Sequence, residues 1–405
     1  MAKITKIKSS KIIDSRGQWT LKTRVYLEDG ATGVGEVPSG ISTGSEEAAL
    51  IPTKEAINNI HKKLAPELKG LNSAEQRKLD KKMIDLDGTE NKAALGGNSI
   101  LSISLAICDA TAKSQNQPLY KYIRTLCPTK EKNWKMPIPM LLMLEGGEHA
   151  KNSMDFQEFM VTPKGNNFQE RIDLGLNIYQ TLLQTLNTSS STTAVGTEGG
   201  FSPQKINLHD AFSLIEKAIE KVKQECAGIA LDIAANSFCS GTLYKLSGLE
   251  QNYNAGRLLT FYKDLVEHHK LLISLEDPFD ENHPEFWAKA KKAFSNQVEI
   301  IGDDILTTNK NRLKNALEMD LITGVIVKPN QIGTLSETLD FAQNAKENDL
   351  TVVVSHRGGE TNSSFISDLA VALNANYIKT GAPARGERVA KYNRLLEIER
   401  SLSNT

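Results

Sequence analysis

The stretch Thr351-Val-Val-Val-Ser-His-Arg357 begins as a run of β-branched residues and ends in an imidazole and a guanidinium group. Because β-branched residues favour strands, we expect a buried strand whose carboxyl end carries polar chemistry. Similar short β-rich runs lie at residues 156–161, 192–196, 228–232, 271–276, 298–303, 324–328 and 376–379. Amphipathic stretches such as residues 210–224 and 336–345 separate most of them. This alternation is typical of parallel βαβ units, and eight strands predict an α/β fold with a (β/α)8-type barrel.

The sequence before the barrel has a different pattern. Residues 4–13 and 20–27 resemble the two strands of a hairpin, and residues 99–114 resemble a helix that is small and apolar on most of its surface. The stretch Met136-Pro-Ile-Pro139 is rich in proline and follows a polar segment, as is typical of a linker. We therefore predict a smaller N-terminal α+β capping domain over residues 1–130 and a C-terminal barrel domain over residues 137–405.

The overall composition narrows the class of protein. The chain has 48 basic and 49 acidic residues and a formal net charge of −1, which argues against a general nucleic-acid binder. Its four cysteines form no C-x-x-C pair, so neither a zinc cluster nor a disulfide framework is indicated. No segment approaches the roughly 18 apolar residues of a membrane span. We expect a soluble cytoplasmic protein without a membrane or nucleic-acid partner.

Ionisable residues recur at the ends of the predicted strands. They are Glu198, Asp232, Glu276, Asp303, Lys328, His356 and Lys379. In a (β/α)8 barrel these positions meet, because the carboxyl ends of the strands surround one crater. Asp232, Glu276 and Asp303 close three successive strands, and an all-carboxylate set suits Mg²⁺. The alternative is that the three are unrelated surface acids.

The remaining strand-end residues predict proton chemistry. Lys328 lies beside the proposed cation, and burial near a positive charge should lower the pKa of the lysine and make it a general base. Glu198 lies in Gly196-Thr-Glu-Gly-Gly200, where glycines let the backbone approach a ligand. Arg357 and Lys379 offer positive charge to a phosphate or carboxylate. An acid and a base around a metal-bound carboxylate predict removal of a proton from the carbon next to that carboxylate.

Many motifs along the chain match one family in order. They are Asp14-Ser-Arg-Gly17, Val37-Pro-Ser-Gly-Ile-Ser-Thr-Gly44, Gly146-Gly-Glu-His-Ala150, Gln157-Glu-Phe-Met160, Glu198-Gly-Gly-Phe201, Leu231-Asp-Ile-Ala-Ala235, Glu276-Asp-Pro-Phe279, Gly302-Asp-Asp304, Lys328-Pro-Asn-Gln-Ile-Gly-Thr334, Ser355-His-Arg357 and Ile378-Lys-Thr-Gly-Ala-Pro-Ala-Arg385. With these motifs the chain resembles the enolase family, whose members dehydrate 2-phosphoglycerate to phosphoenolpyruvate in glycolysis.

The resemblance implies a homodimer and two Mg²⁺ ions, and it assigns a role to each matching residue. Metal ligation falls to Asp232, Glu276 and Asp303, with Ser39 joining the second ion from a loop. Proton transfer falls to Lys328 as base and Glu198 as acid, with Glu158 near the leaving hydroxide and His149 closing over the substrate. Arg357 would hold the phosphate, beside Ser355 and His356, and Lys379 would meet the carboxylate. A lysine base with Mg²⁺ ions is the general pattern of the enolase superfamily.

Several positions depart from the family pattern. The usual serine after the His-Arg pair is Gly358, the usual acid before Glu198 is Thr197, and two usual asparagines are Leu142 and Glu145. Glu145 is expected to add an acid near the entrance of the active site. The segment of residues 45–57 is shorter than usual, and Gln18-Trp19 replaces an Asn-Pro pair near the expected dimer contact.

These departures leave three hypotheses for the function. The first is an enolase acting on 2-phosphoglycerate. The second is an enolase-like paralogue acting on a related phosphonate or phosphorylated carboxylate, similar to carboxyphosphonoenolpyruvate synthase. The third is a non-catalytic scaffold.

Overall fold

The computed structural model describes residues 2–40, 46–127, 131–150, 152, 154–188, 193–204, 206–223, 226–294 and 297–403. The N-terminal part begins with an antiparallel sheet of three strands in the order β1-β2-β3. The strands are β1 (Ile4–Ile13), β2 (Trp19–Leu27) and β3 (Thr32–Glu36). The helices that follow are α1 (Thr53–Asn59), which runs through a π-helical turn (Ile60–Leu64) into α2 (Ala65–Leu68), and then α3 (Gln76–Asp87), α4 (Gly97–Ser114) and α5 (Leu119–Leu126). The predicted hairpin and the helix at residues 99–114 are confirmed.

Helix α4 lies between the N-terminal sheet and the barrel. Ile100 and Ile103 belong to the hydrophobic cluster of the N-terminal part, whereas Leu101 and Leu105 belong to that of the barrel. On the sheet side the backbones approach closely, since a Cβ atom added at Gly35 would lie 2.1 Å from the carbonyl oxygen of Ser102. Two opposite apolar faces explain why this helix has small and apolar residues on most of its surface.

The C-terminal part is a closed barrel of eight strands. The strands are β4 (Ile138–Glu145), β5 (Glu158–Pro163), β6 (Ala227–Asp232), β10 (Leu272–Glu276), β11 (Glu299–Gly302), β12 (Gly324–Val327), β13 (Thr351–Ser355) and β14 (Tyr377–Lys379), and a small sheet of β7 (Cys239–Ser240), β8 (Leu243–Leu246) and β9 (Gln251–Asn254) follows β6. The helices are α6 (Phe168–Thr188), α7 (Leu208–Val222), α8 (Ala255–His268), α9 (Pro284–Phe294), α10 (Lys310–Glu318), α11 (Pro329–Ile332), α12 (Leu335–Glu347), α13 (Phe365–Ala372) and α14 (Gly386–Ser403). The predicted eight-stranded barrel is therefore confirmed. The helices predicted at residues 210–224 and 336–345 are observed as α7 and α12, although α7 ends at Val222 and Gln224 lies outside the described residues.

Two expectations about individual strands were wrong. The first barrel strand is β4, in the segment that we interpreted as a linker and its continuation. Residues 192–196 were expected to form a strand, but their described part makes only an isolated bridge between Val195 and Phe201, and Thr192 lies outside the described residues. The isolated bridge gives no ladder for a barrel strand.

The barrel is also not uniformly parallel. Strand β5 runs antiparallel to both of its neighbours, β4 and β6. Its first residue, Glu158, therefore pairs with Asp232, the last residue of β6. Because of this reversal, the start of β5 lies at the same rim of the barrel as the carboxyl ends of the other strands.

The helices of the described residues were also compared with the requirements of a membrane span. None of them combines the length and the apolar character needed to cross a bilayer.

Candidate active site

One rim of the barrel collects the predicted site residues. Asp232, Glu276, Ser355 and Lys379 are the last residues of β6, β10, β13 and β14. Asp303 and Lys328 come directly after β11 and β12, whereas Glu158 begins the antiparallel strand β5. All of them are largely buried, so several ionisable side chains lie close together at this rim, away from solvent.

Lys379 is the centre of a cluster of three carboxylates. Its Nζ lies 2.7 Å from Oδ2 of Asp232, 3.0 Å from Oε2 of Glu276 and 3.1 Å from Oε1 of Glu158. Burial opposes the charge on Lys379, but the three acids raise its pKa well above the usual value. The lysine is thus a fixed cation, and its three N–H donors already face carboxylates.

Lys328 forms a second ion pair beside this cluster. Its Nζ binds Oδ2 of Asp303, and Nε2 of Gln331 donates to the other oxygen of Asp303 at 2.9 Å. Burial would lower the pKa of Lys328, yet the charge of Asp303 raises it above the usual value. In the described arrangement the nearest charge is a carboxylate, and the lowered lysine pKa expected beside a bound cation stays a prediction.

The predicted metal ligands have the chemistry of a hard-cation site. Asp232, Glu276 and Asp303 are 4%, 3% and 7% exposed. Burial, followed by the charge of Asp232, raises the pKa of Glu276 to about 8. Acids that repel one another in a buried site are the groups that a divalent cation would stabilise, so the chemistry of these residues suits Mg²⁺.

The three acids do not form one tight group. Two sets of potential ligands in the described part of the chain bring their oxygen or nitrogen atoms within 4.8 Å of one another, and they are Asp277, Asp303 and Asp304, and His149, Glu158 and Glu198. The predicted triad is in neither set. Asp232 and Glu276 converge on Lys379, whereas Lys328 and Gln331 hold both oxygens of Asp303.

Glu198 lies between two imidazole rings. Its Oε2 is 3.2 Å from Nε2 of His356 and 3.8 Å from Nδ1 of His149. Burial would raise the pKa of Glu198, but the contacts with His356 and His149 lower it well below its usual range. The carboxyl group is therefore ionised in this arrangement. Nδ1 of His149 is also 3.9 Å from Oε1 of Glu158, so the ring lies between the two acids at more than hydrogen-bond distance from either.

His356 has one defined tautomer. A buried guanidinium nitrogen, Nη1 of Arg388, lies 2.7 Å from Nδ1 of His356 and also donates to the carbonyl oxygen of Arg357 at 2.7 Å. Since a guanidinium can only donate, Nδ1 must accept and Nε2 must carry the proton that faces Glu198. Burial lowers the pKa of His356 to about 3, which keeps the ring neutral.

Arg357, the predicted phosphate-binding residue, already holds an anion. Its Nη1 and Nη2 lie 3.0 and 3.1 Å from the two carboxylate oxygens of Glu47 in the N-terminal part. Nη1 also donates to Oδ1 of Asn330 at 3.2 Å. Ser355 lies next to Arg357 in a small cavity of about 30 Å³, but its hydroxyl donates to the carbonyl oxygen of His356.

Ser39, the predicted ligand of the second ion, has other partners in this structure. Its Oγ accepts a hydrogen bond from Nη2 of Arg16 at 2.7 Å and donates to Oδ2 of Asp14 at 3.0 Å. Its backbone pairs with that of Gly359. Residues 41–45, which include most of the rest of this loop motif, lie outside the described residues.

The acid predicted near the entrance lies elsewhere. Glu145 is 0% exposed and sits under the loop that carries Glu198, so the expectation of an acid at the entrance was wrong. The physical reason is its position as the last residue of β4, whose end is covered by the backbone of residues 196–201.

Sequence reasoning assigned no role to several residues that contact this site, among them Glu47, Gln331 and Arg388. Gln331 lies inside a motif that we quoted, so that motif could have suggested it. Glu47 and Arg388 gave no local signal, because a charged residue in a loop or an amphipathic helix is usually a solvated one.

Comparison with known proteins identifies the family. A family model described as "Enolase, N-terminal domain" matches residues 4–123, and one described as "Enolase, C-terminal TIM barrel domain" matches residues 133–405. A protein named "Enolase" from Bifidobacterium adolescentis is 40% identical over 420 residues, covering 100% of this chain and 96% of the relative. One from Natranaerobius thermophilus is 39% identical over 416 residues, covering 99% of this chain and 96% of the relative. The chain therefore belongs to the enolase family of hydro-lyases.

Proposed function

We propose that the protein dehydrates 2-phosphoglycerate to phosphoenolpyruvate, with Mg²⁺ held by Asp232, Glu276 and Asp303. The observation that carries this proposal is the pair of buried lysines among carboxylates at one rim. Lys379 touches three acids from three strands, and Lys328 binds Asp303 beside them. Such a site can hold an anionic substrate and move a proton within it.

Lys328 is the proposed base. It takes the proton from the carbon next to the carboxylate, and the electron pair of that C–H bond forms the new double bond. To act as a base, Lys328 must first lose the proton that Asp303 stabilises. When bound at the three acids, Mg²⁺ would supply positive charge that stabilises the enediolate and favours a neutral Lys328.

Glu198 is the proposed acid on the leaving-group side. The C–O bond breaks as hydroxide leaves, and a proton from Glu198 converts it to water. Glu198 is ionised in the described arrangement, a state that suits the reverse direction, in which it removes a proton from water. Glu158 and His149 adjoin Glu198 and would orient the hydroxyl group.

Arg357 and Lys379 are the proposed anion-binding residues. Arg357 holds the phosphate once Glu47 yields its place. Lys379 has its three donors on carboxylates, so it meets the substrate carboxylate mainly through its charge. Gly358 has no side chain, and its carbonyl oxygen accepts from Nη2 of Arg388 at 2.8 Å.

Turnover should require both the family substrate and a divalent ion. We expect the purified protein to form enol product from 2-phosphoglycerate with Mg²⁺, and to lose this activity in excess chelator, with recovery on adding Mg²⁺ again. The absorbance of the product measures the rate. Lack of turnover together with tight Mg²⁺ binding by calorimetry would favour the paralogue. Lack of both would favour the scaffold.

Replacing Arg357 with alanine should weaken phosphate binding. We expect KM to rise and kcat to fall, with kcat/KM lowered about a hundredfold, since charge-assisted hydrogen bonds contribute roughly 1.5–3 kcal/mol each. Steady-state kinetics with 2-phosphoglycerate measure both constants. Arg400→Ala in the exposed last turns of α14 is the matched control. Unchanged kinetics in Arg357→Ala would contradict the phosphate-binding role.

Three further proposals rest on the family membership. They are a homodimer, a cytoplasmic location and a division of the chain into domains over residues 1–130 and 137–405. The surface next to the expected dimer contact carries two exposed apolar side chains, because Ile13 and Trp19 face each other across β1 and β2 and are 62% and 59% exposed.

A further inference from the structure

The loop that carries Glu198 is folded around the side chain of Glu145. Oε1 of Glu145 accepts a hydrogen bond from the backbone N–H of Glu198 at 2.8 Å and from that of Gly200 at 3.1 Å. The two donors lie at and beyond Glu198, so a single oxygen fixes the backbone from which the Glu198 side chain projects. The backbone of β4 adds to this attachment, because the N–H of Glu145 donates to the carbonyl oxygen of Phe201 at 2.9 Å.

The loop approaches the Glu145 carboxyl group too closely for any side chain. A Cβ atom added at Gly196 would lie 1.5 Å from Oε2 of Glu145, and one added at Gly200 would lie 3.0 Å from its Cγ. Gly199 adopts a φ of +92°, which L side chains rarely adopt. Gly196 and Gly200 are therefore required by the side chains beneath the loop, and Gly199 by its backbone conformation.

The second oxygen of Glu145 is buried. Among the described residues, Oε2 has no hydrogen-bond partner, and Glu145 is 0% exposed. Burial and then the charge of Glu198 raise the pKa of Glu145 to about 8. The charge of Arg388 from α14 lowers the pKa of Glu145. Tyr179 from α6 faces the same region, and burial raises its pKa to about 12. Glu158 of β5 pairs with Glu145 of β4. A neutral carboxyl group fits these surroundings, because its carbonyl oxygen can accept the hydrogen bonds of both N–H groups while the other oxygen carries the proton.

We propose that Glu145 is a positioning residue whose buried carboxyl group holds the backbone at Glu198 and so sets the orientation in which Glu198 meets the substrate. This inference rests on the proposed role of Glu198 in proton transfer. Glu145 itself touches no reacting atom. Glu145 therefore contributes to the rate of the chemical step and not to substrate binding, because other residues contact the substrate.

Two substitutions of similar size distinguish the effect of the hydrogen-bond acceptor from the effect of the volume of the side chain. Glu145→Gln keeps an oxygen for both N–H groups, and we expect its kcat at pH 7 to stay within about threefold of the wild type. Glu145→Leu leaves both N–H groups without a partner, and we expect kcat to fall by about 30- to 100-fold with little change in KM. Steady-state kinetics with Mg²⁺ and 2-phosphoglycerate measure the difference. Equal kcat values for Glu145→Leu and the wild type would overturn the proposal.

A stability measurement tests the buried carboxyl group without any turnover. The folded protein keeps the Glu145 proton up to a pH of about 8, whereas the unfolded chain releases it near the ordinary glutamate value. The wild type therefore loses stability as the pH rises from about 4.5 to 8, and Glu145→Gln does not. We expect the Tm of Glu145→Gln relative to the wild type to increase between pH 5 and pH 8. A constant difference would contradict the neutral buried carboxyl group.

The control is another buried acid that also accepts a backbone N–H. Asp80 is 0% exposed and accepts from the N–H of Ser336 at 3.0 Å, in the contact between α3 and α12. Asp80→Asn should leave kcat unchanged at every pH, because the residue is not in the site. If the wild type itself shows no turnover, the proposed function fails while the Tm comparison still decides the state of Glu145. A kcat loss in Glu145→Gln as large as in Glu145→Leu would overturn the positioning role.

Discussion

Replacing Lys328 with alanine is expected to lower kcat roughly a thousandfold, which lies within the range of about 10²–10⁴ for the loss of a general base. The physical reason is that Nζ of Lys328 lies at Asp303 inside the rim of the barrel. Among the described residues, Lys379 is the other lysine that we find at this rim. Lys379 faces three carboxylates where Lys328 faces one, so its pKa is raised further and it gives up its proton less readily than Lys328.

An isotope experiment can distinguish the base from a merely structural lysine. In deuterated water the wild type should exchange the hydrogen on the carbon next to the carboxylate, and Lys328→Ala should lose this exchange. Glu198→Gln should keep the exchange while losing product formation, because it removes the acid and not the base. Lys314→Ala, whose side chain is 74% exposed, is the control. If Lys328→Ala still exchanged at the wild-type rate, another group would be the base.

The second large effect is expected on stability. Replacing Lys379 with methionine should lower the free energy of unfolding by about 3–5 kcal/mol at pH 8, the range for removing one partner of a buried ion pair. Methionine keeps most of the volume but leaves Asp232, Glu276 and Glu158 without their shared cation. Urea unfolding followed by circular dichroism measures the loss.

The pH dependence of this loss has a definite sign. Burial raises the pKa of Glu158 and Glu276, and the charge of Lys379 opposes that rise. Without the ammonium group the opposition is lost, so the folded protein takes up protons that the unfolded chain releases above about pH 4.5. The destabilisation should therefore be largest at pH 8 and should shrink towards pH 5. Added Mg²⁺ should stabilise Lys379→Met more than the wild type. Lys113→Met, which removes a surface pair with Asp109, should cost at most about 1 kcal/mol. A loss independent of pH would point to packing instead.

The barrel could be predicted because most of its strands end in the same way. A short apolar run followed by an ionisable residue is a strong pattern, and it located six of the eight strands to within one residue of their observed carboxyl ends. Strand β4 was missed because Pro139 normally interrupts a sheet. In this barrel β5 pairs with β4 only from Leu141 onwards, so the missing N–H of the proline leaves no gap in the ladder.

The sequence predicted which residues lie together at the rim better than it predicted their contacts. The ends of the predicted strands pointed to Asp232, Glu276 and Lys379, and the two carboxylates do contact Nζ of Lys379. The sequence could not indicate that Glu145 would lie beneath Glu198, 53 positions away, or that Arg388 would fix the tautomer of His356. Such contacts depend on where the rim loops fold back, and no local pattern of residues encodes that.

The ion pair between Glu47 and Arg357 has a consequence for the proposed binding of phosphate at Arg357. The guanidinium group comes from the barrel and the carboxylate from the N-terminal part, so a phosphate bound at Arg357 would replace the Glu47 carboxylate. The electrostatic gain on binding would therefore be smaller than for a guanidinium group without a partner, and its dependence on salt would be weaker. Binding would also break one contact between the N-terminal part and the barrel, so anion binding and the association of the two parts would be thermodynamically linked.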